Sequence, residues 1–237
     1  MKRSIEHVHQ KLKHRVKDEE KALILSEICT RAGMTRKRLV ERLGLRPTSV
    51  SNVVQELQEQ HLVTEGDVQN PGSQGRPERG LLPNFNRLVA IAVRVVSRDL
   101  IAELVDFGDQ VLYREEQTLP ENANEDTAVQ TLVELIQSTS KHVPPDSTLL
   151  GVGLSLPGIV NSQEGRWLNS SRWHNIRDFE AGLLERRVEL PVRFHGMHQA
   201  ELRYLLEQEP RLQEGGTLLF HWGYGIGAAY AYDGALV

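Results

Sequence analysis

Five side chains that hydrogen-bond without carrying charge crowd one stretch of the chain: Thr48, Ser49, Ser51, Asn52 and Gln55, within RPTSVSNVVQELQEQ. A hydroxyl both donates and accepts, and a carboxamide offers a donor and an acceptor side by side. That chemistry matches the donor and acceptor edges that base pairs present in a DNA major groove. A solvated helix surface would carry Glu and Lys at such positions. Here the face holds no charge until Glu56, so it can approach a polyanion without repulsion. Arg46, just ahead of this stretch, and Arg76, inside Gly75-Arg76-Pro77, complete the candidate nucleic-acid contacts. An Arg held out by such a triplet suits a narrow minor groove, where it reads width and potential more than sequence. The triplet is also a common loop sequence, and only its place after a helix and a strand gives it weight.

These residues need a scaffold, and the flanking pattern supplies one. Leu39 and Leu43 stand four apart on a short helix that Gly44 ends in a left-handed turn. Pro47 suits the start of the next helix, on which Val50, Val54 and Leu57 fall at i, i+4 and i+7. The polar five lie opposite that buried stripe, as on a recognition helix. An earlier helix from Glu19 carries a stripe of Leu23, Ile24 and Ile28 and ends at Gly33. After His61, residues 62–68 alternate into a strand, Pro71-Gly72 turns, and a segment around Gly80-Leu81-Leu82 returns. Three helices and a two-stranded wing make a winged helix-turn-helix. Ahead of it, Lys2, Arg3, Lys11, Lys13, Arg15 and Lys17 face the single acid Glu6, either as an arm along phosphates or as a solvated tail or leading helix.

From Leu88 the periodicity changes. Residues 88–96, 100–106 and 111–118 read as three strands in a meander, with turns at Ser97-Arg98-Asp99 and Phe107-Gly108-Asp109. A helix with Val129, Leu132, Val133 and Ile136 follows, then a buried strand over 149–156 and a loop. A helix from Asp178 carrying Phe179, Leu183 and Leu184 leads to a strand over 190–195 and a helix over 198–209. Strands over 217–222 and 226–232 close the chain. A meander followed by α/β alternation is the order of an actin-like, ribonuclease-H-like lobe. We place the domains at 1–84 and 85–237.

Charge divides at the same place. Up to Arg87 there are 16 Lys and Arg against 11 Asp and Glu; beyond it there are 12 against 21. The overall net of −4 therefore hides a basic module joined to an acidic one, the footprint of a nucleic-acid-binding unit with a partner domain. No apolar run approaches the ~20 residues that span a bilayer, and the N-terminus lacks the apolar core of a secretory signal. A lone cysteine, Cys29, cannot form an internal disulfide and reads as a small buried residue of a cytoplasmic protein.

Taken in order, the winged helix with GRP, the meander, LLGVGLSLPGIV, SRWHNI, LPVRF and GYGIGAAYAYDG resemble the ROK family of repressors, open reading frames and sugar kinases. The winged helix points to the repressor branch of NagC, Mlc and XylR type. The resemblance implies a fold of mixed α+β and α/β class, an N-terminal winged helix-turn-helix followed by a partial actin-like ROK domain. It also marks two departures from the kinases. Their acidic glycine-rich turn, of the form DxGGT, falls on Arg94-Val95-Val96-Ser97-Arg98, where the acid is Arg94 and both glycines are gone. Their Asn-Asp pair falls on Gly196-Met197, and a thioether cannot take a proton from a sugar hydroxyl. The second phosphate loop survives as Gly223-Tyr224-Gly225-Ile226-Gly227, whose glycines also suit a plain tight turn.

The family's inter-lobe sugar region matches Pro157, Gly158, Asn169, Trp173 and Asn175, each of which has an ordinary alternative such as a turn or a hydrophobic plug. His195 and His198 sit three apart across a strand–helix junction, with His174 and His221 elsewhere and no cysteine cluster, so no metal site is expected. No cofactor is expected either, because the family's zinc-binding Cys-rich motif and its GEIGH sugar motif lie past the last strand pair and the chain stops at Val237. The expected protein is a cytoplasmic, non-enzymatic regulator, a repressor in type, of sugar-metabolism genes. It would bind a double-stranded DNA operator as a homo-oligomer, without membrane insertion, and answer to a sugar or sugar-phosphate effector or to a sugar-transport protein. Two rivals stand beside it: an ATP-dependent sugar kinase with an appended DNA-binding domain, and a protein-docking regulator without a sugar ligand. The apolar strands over 217–232 are expected to self-associate or fray for want of a covering layer.

Overall fold

The computed structural model describes residues 17–69, 78–170, 173, 175–223 and 225–237. They fall into two compact units, one ending at Arg87 and the other starting at Leu88.

The first unit opens with a helix, α1, over 17–30. Thr35 caps α2 (Arg36–Leu43), its side chain accepting from the Arg38 amide. Gly44, at φ 64°, ends α2 and returns its N–H to the Val40 carbonyl. Glycine takes that left-handed turn without a Cβ penalty. Pro47 then starts α3 (Pro47–Glu59), where its missing N–H costs nothing. Strands β1 (Val63–Gln69) and β2 (Glu78–Pro83) pair antiparallel, and Met34 bridges Leu81 on the far side of β2. Ile24, Ile28, Leu39, Val50, Val54, Leu57, Val63 and Leu81 form the core. The helix-turn-helix and both wing strands thus stand where periodicity puts them. Leu23 is the exception: it is 54 % exposed, because the buried face runs through Ile24 and Ile28 and Leu25 takes the flanking place. The wing tip with Gly75-Arg76-Pro77, and the basic segment over 1–16, lie outside the described residues.

The second unit begins with β3 (Leu88–Val96), β4 (Asp99–Asp106) and β5 (Val111–Thr118). Helix α4 (Glu125–Ser140) follows, capped by Asn124 and acidic in its first turn, which suits the positive end of the helix dipole. Next come β6 (Thr148–Leu156), β7 (Ile159–Asn161), β8 (Arg166–Asn169), β9 (Phe179–Glu180), α5 (Ala181–Val188) and β10 (Val192–Gly196). Helix α6 (Met197–Gln208), a 3-10 turn (Pro210–Gln213), β11 (Gly216–Trp222), β12 (Ile226–Tyr232) and β13 (Ala235–Leu236) complete it. The main sheet runs β10-β6-β3-β4-β5: the meander β3–β5 is antiparallel, while β6 and β10 lie parallel. Helices α4 and α5 pack against each other and against this sheet. Ile91, Val93, Leu104, Leu135, Ile136, Val152, Leu154, Phe179 and Phe194 are sealed in between. This is the mixed sheet expected of an actin-like lobe.

Two expectations change here. The loop after β6 holds a three-stranded sheet, β7-β8-β9, too short to show alternation. The helix expected from Asp178 starts at Ala181: Asp178 sits at φ 57° and ion-pairs with Arg166, while Phe179 pairs with Trp167 on β8. The closing sheet β11-β12-β13 is covered on one side only. Leu219, Ala229 and Ala231 pack against Leu202, Leu206 and Leu212, while Leu218, Phe220, Trp222, Ile226, Tyr230 and Tyr232 face outward.

Candidate functional site

Helix α3 turns two different faces outward and inward because successive residues rotate by about 100°. Val50, Val53, Val54 and Leu57 are buried, which leaves Thr48, Ser51, Asn52 and Gln55 exposed and Ser49 half-buried at the margin. Gln55 donates to Glu59 at 3.0 Å, so its amide is already oriented along the helix. Arg46 is exposed at the N-cap position, beside the first turn. The acid that follows Gln55, Glu56, is neutralised. Lys17 reaches Glu56 at 2.5 Å and Lys21 lies at 3.8 Å, and the Lys17 hydrogen bond holds the Glu56 carboxyl below the usual carboxylate range. Arg36 is committed to the wing and to α3, donating to Glu65 of β1 at 2.9 Å and to Gln58 of α3 at 3.0 Å. Lys37 and Arg38, which sequence reasoning passed over, stand exposed in the first turn of α2, where a phosphate backbone could meet them. Their signal was the run Arg36-Lys37-Arg38 directly after a Thr cap. Arg76 lies outside the described residues.

In the second unit the five candidate sugar residues gather at two neighbouring spots. Pro157 accepts a hydrogen bond from the Trp167 indole at 2.7 Å. Gly158, at φ 87°, lies so close to the Asn169 carbonyl that any Cβ would overlap it. Pro157 and Gly158, just ahead of β7, therefore lie against Asn169, the end of β8 that pairs with Ile159. Trp173 is buried and donates its indole N–H to the Ser97 carbonyl at 3.1 Å. With Asn175, Ser97, Arg98, Pro120 and Glu121 it lines a cavity of ≈ 520 Å³, within the ~300–1,000 Å³ typical of small-molecule sites. The rings of Trp167 and Trp173, 5.9 Å apart, join the two spots. Trp167 was not singled out in the sequence.

The segment matching the kinase phosphate turn is a tight hairpin here. Val96 pairs with Asp99, and Ser97 and Arg98 form the whole connection, with Ser97 at φ 60°. Arg94 points instead toward Glu103, 3.8 Å away across the meander. Gly196 caps α6 and Met197 opens it. Burial, with Arg203 and Arg193 adding repulsion, pushes the adjacent His195 imidazole below its ordinary pKa. Of the glycine-rich loop, Gly223 and Gly225 close the β11–β12 hairpin, the Gly223 amide donating to the Gly225 carbonyl at 3.0 Å. Tyr224 lies outside the described residues, as does His174. The remaining histidines do not scatter: His198, Glu201 and His221 converge.

The fold and the polar helix define a class, a winged helix-turn-helix joined to an actin-like ROK lobe. Comparison with known proteins agrees at each level. Residues 18–72 match the MarR family. The chain is 23% identical over 168 residues to the DNA-binding transcriptional repressor Mlc of Escherichia coli, covering 65% of this chain and 41% of that protein. It is 28% identical over 182 residues to the xylose repressor of Bacillus spizizenii, covering 75% and 46%. The chain spans about half the length of the curated relatives it matches. Among solved structures, a ROK family transcriptional regulator described as a homologue of the E. coli Mlc protein superposes with a TM-score of 0.75 at 22% identity, over 94% of this chain and 56% of that one. A ROK glucokinase from Streptomyces griseus, in complex with glucose and AMPPNP, reaches 0.53 at 17% identity over 63% and 46%. These two likenesses concern the fold.

Proposed function

We propose that this chain is a sequence-specific DNA-binding transcriptional regulator, a repressor in type, whose second unit senses a sugar or a protein partner and performs no catalysis. The observation that carries the reading is the exposed polar face of α3, uncharged from Thr48 to Gln55 and backed by an apolar core. Such a helix enters a major groove, with its hydroxyls and amides on base edges and flanking cations on phosphates. Similarity to proteins named as a DNA-binding transcriptional repressor and a xylose repressor supports the direction of regulation. A dimer on a two-fold symmetric operator would bring two copies of α3 one helical turn apart.

Two features weigh against phosphoryl transfer. Met197 stands where a kinase needs a proton acceptor, and the two-residue turn at Ser97-Arg98 offers no glycine-rich cradle for phosphate. The effector would occupy the cavity beside Trp173 and Asn175, where an aromatic edge and an amide suit a sugar. Selection of genomic fragments on the purified chain at moderate salt, followed by sequencing, tests the central claim. A shared palindromic motif is expected. Recovery of fragments with no common sequence would overturn it.

A further inference from the structure

Among the described residues, three side chains with metal-ligating atoms meet at one place: His198, Glu201 and His221, whose ligand atoms all lie within 4.8 Å of one another. We infer that they form a binding site for a divalent transition-metal ion of the zinc type, with the remaining coordination position left to water.

His198 and Glu201 stand three apart in the opening turns of α6, the spacing that puts two side chains on one helix face. Helical metal sites use a Glu-x-x-His pair at this spacing, and His198 and Glu201 present the same two donors in the reverse order. Here the His198 Nδ1 lies 3.8 Å from the Glu201 carboxylate. That nitrogen is buried and has no hydrogen-bond partner, although a shielded ring nitrogen is normally satisfied. His221 comes from β11, and its ring centroid lies 5.0 Å from that of His198. The backbone is shaped around this meeting. Gly227, the register partner of His221 on β12, leaves the space that the His198 ring fills, and any Cβ at 227 would overlap the His198 Nε2.

Two imidazole nitrogens and one carboxylate oxygen suit zinc, cobalt or nickel rather than magnesium or calcium, which prefer oxygen alone. Tetrahedral coordination at ~2.0–2.1 Å places ligand atoms about 3.4 Å apart, so separations of up to 4.8 Å must close by as much as about 1.4 Å. Glu201 is about half exposed, so its carboxylate has room to close on the two rings. The ion would fasten the first turn of α6 to β11, tying the closing sheet to the helix that covers it. This donor set contains no cysteine and differs from the Cys-rich motif of the family.

The test uses the tag-free full chain, stripped with chelator, and Zn2+ or Co2+ alone as the probe. Because His7, His9 and His14 in the leading segment could also take metal, it is run in parallel with all three replaced by Gln. One equivalent of Zn2+ should bind in both proteins, Co2+ should give visible ligand-field bands, and the melting temperature should rise with free Zn2+. Glu201→Gln, at a half-exposed position that folding tolerates, and His221→Ala should each weaken Zn2+ binding at least ~10-fold. His142→Ala, in the stacked pair with Tyr113, should leave it unchanged. Binding lost with the leading histidines, binding indifferent to Glu201→Gln, or none below millimolar Zn2+ would each overturn the proposal.

Discussion

Asn52→Ala separates reading DNA from merely holding the helix together. Asn52 is exposed at the centre of the polar stripe, one turn from Thr48 and three residues before Gln55. Its neighbour Val54 points about 200° away into the core and is fully buried. Removing an exposed amide should change folding stability by no more than about 0.5 kcal/mol. If the amide makes a bidentate base contact, its loss costs ~1–3 kcal/mol of specific affinity, roughly 5- to 150-fold in Kd. Val54→Ala should do the reverse, costing ~1.5–3 kcal/mol of a domain stability of ~5–15 kcal/mol while removing no group that faces DNA. The assay is fluorescence anisotropy on the selected operator and on a scrambled duplex of equal length, each titrated with salt, beside thermal melts. The expected signature is lower affinity for the operator alone, an unchanged salt slope and an unchanged melt. Equal losses on both duplexes would make Asn52 a backbone contact and remove the recognition assignment.

Three further outcomes follow from the same geometry. The chain should transfer no phosphate from ATP to a hexose or N-acetylhexosamine; sugar-phosphate formation abolished by a substitution in this chain would refute the non-catalytic reading, which rests on Met197 and the Ser97-Arg98 turn. The outward face of β11 and β12, with Trp222 81 % exposed beside Phe220 and Ile226, should drive self-association at high micromolar concentration. Phe220→Glu with Trp222→Glu should restore a monomer in sedimentation velocity, and a wild-type monomer under those conditions would count against the face. Cys29 is half-buried, and burial pushes its thiol pKa up, so less reactive thiolate is present at neutral pH. Its reaction with a thiol reagent should therefore be slower than that of free cysteine and should accelerate on unfolding, whereas equal rates would show an open thiol.

The parts of this fold that sequence made legible are those with local punctuation. Gly44 and Pro47 bound the helix-turn-helix by their own backbone chemistry, and the first strand of the meander runs almost wholly apolar over nine residues. Legibility ended where elements became too short to repeat. The strands of β7-β8-β9 have three, four and two residues, and Trp167, which links Pro157 to Trp173, acts through contacts that no period announces. Asp178 resembles a helix cap in sequence, yet it takes a left-handed turn because Arg166 and the β8 pairing hold the chain back for three more residues.

The histidines mark the sharpest limit. His198 and His221 are far apart in sequence, and their meeting depends on the β11–β12 register, which sets His221 against Gly227 and leaves the His198 ring its space. From sequence alone, Gly227 reads as the end of a phosphate loop or as a turn residue. In the fold it sits beyond the turn, inside β12, and its missing side chain accommodates an imidazole. A glycine kept for phosphate would face an open backbone cradle, whereas any Cβ at Gly227 would overlap the His198 ring. Gly227→Ala distinguishes these roles physically. Through the packing seen here it should displace His198, loosen α6 against the closing sheet and weaken Zn2+ binding, whereas Gly225→Ala, with open space around its Cβ, should disturb none of these.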